Sequence, residues 1–507
     1  MKNVSSVFWY GIAICALVII WGAVGPEHLQ HVTESITAFV SDRFGWYYLL
    51  LVVLILIFCV YLIFSRFNTI KLGKESDEPD FNLPTWFAML FSAGLGMGLV
   101  FWTTAEPISH AFINSPIAKE GSDEAIKQSL QFSFFHWGIH AWAIYALTAL
   151  VLAYFRFYKG YSGLISPTLI PLFGEERMNG PLGKAVDTMA VVATVVGVAA
   201  ILGFGSAQIN EGLAFLFNVP TNFTVQLIIL TVSTVLFLAS AWSGVSKGIK
   251  YLSNANMGLG FLLMIMLFIV GPTLYILNMF TSSIGSYIAN FVDMSFRIAP
   301  LDEDGRSWIN DWTLFYWAWW ISWAPFVGIF IARISKGRTV KEFMLGVLLV
   351  PSLICFIFFT VFGVSALNLE QLGIEKISQF PVETATFATL QHYPLGTVMS
   401  FLTLFVIAIF FITSADSATF VLGMLSTGGS MNPPGFVKIL WGVSLSAMAA
   451  IIVYFGGTQG LQNVLIVAAF PFSIILMLMG VSFYKAINAE VKRKKRKRKR
   501  THKKELS

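Results

Sequence analysis

The charges of this chain are spaced too far apart for most of it to be dissolved in water. After Lys2 no charged side chain occurs until Glu27, and the intervals Arg43–Arg66, Asp80–Glu106 and Lys127–Arg156 enclose 22, 25 and 28 uncharged residues. Lys250–Asp293 and Lys438–Lys485 enclose longer ones. A helix crosses the hydrocarbon core of a bilayer with about 20 apolar residues, so each interval is long enough for a crossing. Only 12% of the 507 residues are charged and 56% are apolar, against about 25% charged in a soluble domain. That deficit excludes an ordinary soluble enzyme, whose surface could not be covered. The 41 Gly and 18 Pro follow no repeating period, which excludes a fibrous or disordered chain.

The runs predict an all-α polytopic membrane protein with twelve transmembrane helices. They lie at roughly 7–25, 46–65, 86–105, 132–155, 187–207, 223–244, 256–281, 309–332, 342–366, 396–414, 436–455 and 461–484. The first run has one Lys, no small-residue cleavage site and eleven similar runs after it, so it reads as a span, not a cleaved signal peptide. Twelve crossings put both termini on one side. With that side cytoplasmic, 27 of the 33 Lys and Arg fall inside and six outside, as the positive-inside rule requires. Residues 492–500 are nine consecutive basic residues, and without the segment after Val491 the net charge changes from +6 to −4. This tail could contact anionic headgroups or be a solvated end. Cys15, Cys59 and Cys355 lie in apolar runs and read as packed thiols. No nucleotide-binding loop is present in the sequence.

Three spans carry features that would disturb a helix. Ser92-Ala93-Gly94-Leu95-Gly96-Met97-Gly98 places three alternating glycines near the middle of the third run. Such a stretch can unwind and offer backbone groups to a ligand, or provide a small-residue packing face. Pro325 lies inside the eighth run and removes one helical hydrogen bond. Phe410 to Ser417 in the tenth bring Thr413, Ser414 and Asp416 to an apolar segment, where polar groups are costly without ions or partners.

The aromatic residues are clustered. In His136-Trp137-Gly138-Ile139-His140-Ala141-Trp142-Ala143-Ile144-Tyr145, Trp137, Tyr145 and Trp142 fall at about 0°, 80° and 140° around a helix. In the eighth run Trp319, Trp320 and Trp323 share an arc of about 100°. Tryptophan usually marks an interfacial belt, but two such faces that met would form a cage suited to a quaternary ammonium cation. An ammonium-binding carboxylate is absent from both clusters. His136 and His140 are spaced i, i+4, compatible with metal ligation, but no third ligand is nearby in sequence. Packing or hydrogen bonding of the rings is the simpler reading.

These segments resemble the betaine/choline/carnitine transporter family. The resemblance rests on Gly94-Leu95-Gly96-Met97-Gly98 with Thr104-Ala105-Glu106-Pro107, on the His136–Trp142 block, and on Trp317-Ala318-Trp319-Trp320-Ile321-Ser322-Trp323-Ala324-Pro325-Phe326. Ala332–Thr339 and Phe411–Ser417 agree, and the likeness runs from about residue 8 to 485. It implies a LeuT-like arrangement of two five-helix inverted repeats, spans 3–7 and 8–12, each opening with a broken helix. On that basis the chain divides into 1–85 with two peripheral helices, 86–285 and 309–485 as the repeats, 286–308 as a surface helix (Ser286–Arg297) and loop, and 486–507 as the basic tail.

The resemblance also implies a function without enzymatic chemistry, catalytic residues, cofactor or nucleic acid. It implies a homotrimer in a bacterial plasma membrane importing glycine betaine by sodium symport with alternating access, for osmoprotection. Choline or carnitine uptake or exchange is the alternative. The family's binding box falls on Trp137, Trp142, Tyr145 and Trp320, with Trp319 and Trp323 along the same path. The substrate carboxylate would meet backbone N–H groups of Gly94, Gly96 and Gly98. Choline carriers tend to place Asp where this chain has Gly98, and a neutral position suits a zwitterion that brings its own carboxylate. A sodium ion would be held by backbone oxygens near Ala93 and Leu95, the Phe410 carbonyl and the hydroxyls of Thr413 and Ser414. Thr194 and Phe326 would belong to a second sodium site, but Val198 stands where its other hydroxyl is expected, which leaves the stoichiometry open.

Overall fold

The structure, a computed structural model, describes residues 4–94, 96–243 and 246–505, with side chains beyond 493 and at 91–94, 97, 242–250 and 458 left out. Among the described residues the regular structure is helical, apart from one isolated antiparallel bridge, Lys71–Thr339. Among the described residues eleven helical segments are long and apolar enough to cross a membrane: Ser6–Val24, Pro26–Phe64, Asp123–Tyr158, Pro181–Phe217, Phe223–Ala241, Tyr251–Val270, Glu303–Ile334, Val340–Gln371, Gly396–Ser426, Gly435–Gly457 and Gln459–Arg493. Each overlaps one expected span. Over the remaining one, 86–105, the described residues Leu83–Gly94 and Gly96–Ile108 are helical. Leu95 itself lies outside the described residues.

Local chemistry sets many of the helix starts. Pro26 follows Gly25 at the first position of its helix, where a missing N–H costs nothing. Ser122 Oγ accepts from the Ala125 N–H at 3.2 Å, and Asp123 and Glu124 occupy the first turn, a favourable end of the helix dipole for acids. Thr339 Oγ1 accepts from the Glu342 N–H at 3.2 Å.

The breaks differ from expectation at three places. The helix Phe315–Ile334 runs through Pro325 without interruption. Every residue from Phe315 to Ile329 is buried, so packing on all sides holds the helix despite one lost bond. The fourth span breaks instead, at Gly138 between Asp123–Trp137 and Ile139–Ala153. A β-carbon at Gly138 would run into the Phe134 carbonyl and lie 2.8 Å from the Phe356 ring, so only glycine fits. The seventh span was placed at 256–281, but its helix ends at Val270, and Gly271-Pro272 precedes a separate helix Thr273–Ala289. Proline disfavours helix at the residue before it, and Thr273 Oγ1 donates to the Phe268 carbonyl at 2.7 Å, serving an acceptor freed by the break. The candidate surface helix 286–297 is therefore the end of Thr273–Ala289 plus Phe291–Phe296.

The boundary drawn at residue 486 does not coincide with a structural break. One helical stretch, kinked at Gly457, continues from Gly435 to Glu505 through the basic tail. Its base is tied down: Glu490 accepts from Lys159 at 2.9 Å and from Arg493 at 2.7 Å, and Arg66 donates to Asn488 at 2.6 Å.

Burial ranks the helices. In the fourth and eighth spans 94% of the most apolar stretch is enclosed by protein, against 17% in Phe223–Ala241 and Tyr251–Val270. The two aromatic-rich helices thus form the centre of the molecule, and the latter pair present their sides outward.

Candidate substrate site

Gly138 and Gly98 bring the two aromatic clusters together. The break at Gly138 leaves Trp137 at the end of one half-helix and Trp142 and Tyr145 in the next. Trp137 stands edge-on to Trp319 and Trp320, with ring centres 5.7 and 5.5 Å away and interplanar angles of 81° and 84°. Tyr145 meets Trp320 at 5.0 Å. Trp137, Trp142, Tyr145, Trp319, Trp320 and Trp323 are all buried, so none of the six belongs to an interfacial belt.

The rings border a small cavity with about 20 Å³ of free space, lined by Gly96, Gly98, Trp137, Tyr145, Ile201, Trp319, Trp320 and Trp323. That is room for about one water, so the rings stand closer together than a bound solute would hold them. Trp142 is not on the wall; it packs behind, against Trp320 at 6.1 Å and Tyr145 at 5.6 Å. Ile201 is a wall residue that sequence reasoning missed, because a lone Ile in an apolar helix carries no signal. At Gly98 a β-carbon would lie 2.7 and 2.9 Å from Trp319 Cη2 and Cζ2 and 3.3 Å from Trp137 Cη2. Two indoles therefore rest directly on this backbone.

Hydrogen bonds fix the indoles. Trp320 Nε1 donates to the His136 carbonyl at 3.1 Å, Trp323 Nε1 to the Gly197 carbonyl at 2.8 Å and Trp137 Nε1 to Glu106 Oε2 at 2.9 Å. The last bond corrects the expectation that no carboxylate attends the cage. Glu106 is fully buried. Its Oε2 also accepts from Tyr316 Oη at 2.6 Å, and its Oε1 lies 2.7 Å from His136 Nδ1 and 3.2 Å from His110 Nε2. An acidic residue within an apolar run was the available signal.

His136 and His140 do not act as a pair. His140 Nε2 bonds Ser295 Oγ at 2.8 Å and its ring stacks on Trp317, whereas His136 Nε2 meets Thr313 Oγ1 at 3.1 Å. Ligand atoms of Glu106, His110 and His136 lie within 4.8 Å of one another, close enough for a metal. Four donors already match the lone-pair sites of one carboxylate, while His110 Nδ1 is buried without a partner; the trio reads as a hydrogen-bond cluster around Glu106.

The residues named for sodium fall in two places. Ser414 Oγ comes within 3.4 Å of a β-carbon placed on Gly96, which sets the hydroxyl beside the glycine stretch containing Ala93. Thr413 Oγ1 donates to the carbonyls of Ile409 at 2.9 Å and Phe410 at 3.3 Å. Thr194 Oγ1 donates to the Ala190 carbonyl at 2.8 Å. Phe326 packs on Trp323 at 5.6 Å and borders a separate vestibule of about 540 Å³ with Arg156, Arg333, Asp416 and Lys438.

A helical membrane protein with a broken helix, an aromatic chamber at its centre and a wide vestibule one ring away has the parts of a small-solute transporter. The comparisons specify the class: the chain matches the betaine/carnitine/choline family transporter model over residues 6–492 and belongs to that family. It is 56% identical to the glycine betaine transporter OpuD of Bacillus subtilis over 97% of this chain and 96% of that protein. It is 41% identical to a probable glycine betaine transporter of Desulfitobacterium hafniense, over 96% and 98% of the two chains. An ectoine/hydroxyectoine transporter of Virgibacillus pantothenticus is 40% identical, over 95% and 96%. The chain is thus a transporter and not an enzyme.

Proposed function

We propose that this protein imports glycine betaine into a bacterial cell by sodium symport, for osmoprotection. The observation that carries the reading is the closed chamber of Trp137, Tyr145, Trp319, Trp320 and Trp323 set against Gly96 and Gly98. Aromatic faces attract a trimethylammonium group that cannot donate hydrogen bonds. The glycine stretch offers backbone to the carboxylate, and the fit of Trp319 over Gly98 leaves no room for the aspartate that would serve choline. The names of two relatives support betaine. The ectoine carrier supports ectoine as a second zwitterionic substrate.

Betaine is net neutral, so voltage alone cannot concentrate it. A sodium ion moving through 100 mV contributes about 2.3 kcal/mol. Ser414 beside Gly96 and the neighbouring Phe410 carbonyl and Thr413 suit a hard cation that prefers oxygen ligands; Thr194 and Phe326 are the candidates for a second ion. The vestibule with Arg156, Arg333 and Lys438 fits the basic cytoplasmic side and an inward-facing step of alternating access. We assign residues 83–108 as the third of twelve spans and the start of the first inverted repeat, with both termini cytoplasmic, three copies assembling and the tail resting on anionic lipid.

Uptake of labelled betaine in sodium against potassium buffer tests the reading, with Trp320→Ala alongside. Sodium-dependent uptake is expected, with a roughly thirtyfold KM rise in the variant if one desolvated cation–π contact is worth about 2 kcal/mol. Equal uptake in both buffers refutes the coupling, and an unchanged variant refutes the cage. Competition by unlabelled choline and ectoine ranks the alternatives.

A further inference from the structure

We infer that Glu106 gives the chamber its preference for a positively charged solute, acting through the side chains it holds. The inference rests on the proposed quaternary-ammonium substrate and adds the residue that selects for charge. Trp137 presents its ring to the cavity and its N–H to the carboxylate, so Glu106 lies directly behind one wall. Tyr316, the other donor to Oε2, stacks on Trp319 with ring centres 6.0 Å apart and planes 12° from parallel. One carboxylate thus touches a partner in each aromatic cluster. His136, bonded to Oε1, also receives the Trp320 N–H on its backbone carbonyl, which links a third indole to the same anchor.

Four donors converge on Glu106, the number an ionised carboxylate can accept. A ring nitrogen of each histidine faces Oε1 within hydrogen-bond distance, and the second nitrogen of His136 meets the Thr313 hydroxyl, so the geometry suits the charged form. Among the described residues no Lys or Arg pairs with the carboxylate; its partners are His110, His136, Trp137 and Tyr316. A buried charge in a low-dielectric interior acts over longer distances than in water. A donor bound to a carboxylate also polarises along the hydrogen-bond chain, which makes the Trp137 face more negative. A cationic headgroup gains from both effects. A neutral group of the same shape gains from neither.

The test compares glycine betaine with its carbon isostere 3,3-dimethylbutanoate, in which a tert-butyl group replaces trimethylammonium. Both are measured as competitors of labelled-betaine uptake, at membrane levels checked by immunoblot. Glu106→Gln is expected to weaken betaine about tenfold and to leave the isostere unchanged or improved, so the ratio of the two inhibition constants collapses. Parallel loss of both ligands would mean that Glu106 only supports the rings, and overturns the inference; an unaltered ratio also does. If Glu106→Gln does not reach the membrane, Tyr316→Phe decides. With one donor fewer the carboxylate is less neutralised, so the ratio should hold or rise, and a fall overturns the inference. Absence of betaine uptake by the unmodified protein would instead refute the proposed function.

Discussion

Gly98→Ala is the sharpest test of the chamber, because its cost follows from named contacts. The new methyl would lie 2.7 and 2.9 Å from two atoms of Trp319 and 3.3 Å from Trp137. Neither ring can withdraw easily. Trp319 is stacked on Tyr316 and packed against Phe204 and Phe315 at 6.0 and 5.7 Å, and Trp137 is tethered to Glu106. Forcing a methyl into such packing costs about 1–3 kcal/mol. If the rings relieve it by moving into the cavity, betaine affinity falls roughly 5- to 150-fold. Gly96→Ala is the internal comparison, since its β-carbon would only touch Ser414 Oγ at 3.4 Å. Both changes add about 1 kcal/mol of helix propensity, so that term cancels between them. The assay is the betaine dissociation constant of purified protein, read by tryptophan fluorescence, together with uptake KM. Equal effects of the two substitutions, or a weaker one at Gly98, would refute the steric argument.

Three other perturbations have defined outcomes. Gly138→Ala drives a methyl into the Phe134 carbonyl and the Phe356 ring, which stacks on Phe134 at 4.2 Å; a lowered thermal midpoint and weakened betaine binding are expected, and an unchanged midpoint contradicts the glycine-only break. Ser414→Ala should raise the sodium concentration for half-maximal uptake while leaving betaine KM at saturating sodium nearly intact; an unaltered sodium curve removes Ser414 from the ion site. Arg338 is 2% exposed, lies 4.1 Å over Trp86 and donates to the Phe81 carbonyl at 2.7 Å, so Arg338→Lys, which loses the planar fork, should destabilise by about 1–3 kcal/mol, visible as a lower midpoint in detergent.

What could be read from the sequence was what local periodicity encodes. Apolar run length is a property of consecutive residues, so eleven crossings were legible; the glycine stretch expected to unwind is helical at Gly94 and from Gly96 onward. The helical-wheel placement of Trp142 with Trp137 assumes one continuous helix, but Gly138 breaks it between them and resets the phase; Tyr145 lines the cavity and Trp142 packs behind Trp320. Proline alone was a poor guide. Pro325 is held inside a helix by its neighbours, whereas Gly271-Pro272 ends one, where two breakers coincide. The carboxylate was the least legible part. Glu106 meets His136 across 30 residues and Tyr316 across 210, and no spacing rule connects positions brought together by three separate helices.

The same contacts bear on how such a carrier could turn over. Between the chamber and the vestibule stand Trp323, a wall of the first, and Phe326, a wall of the second. Their edge-on pairing at 5.6 Å and the 2.8 Å bond from Trp323 to the Gly197 carbonyl are the named interactions closing that side. An aromatic pair contributes about 0.5–1.5 kcal/mol and a hydrogen bond about 1 kcal/mol. Their sum is of the same order as the roughly 2.3 kcal/mol supplied by one sodium through 100 mV. On the proposed sodium coupling, a gate of this strength can be opened within the free energy that one ion supplies. Gly197 sets that balance sterically, because a β-carbon there would lie 2.7 Å from Trp323 Cδ1 and 2.8 Å from Ser322 Oγ. Gly197→Ala should therefore displace Trp323 and uncouple the carrier. The readout is betaine efflux from preloaded vesicles without sodium, which should rise in the variant, and an unchanged efflux rate would remove Trp323 from the gate.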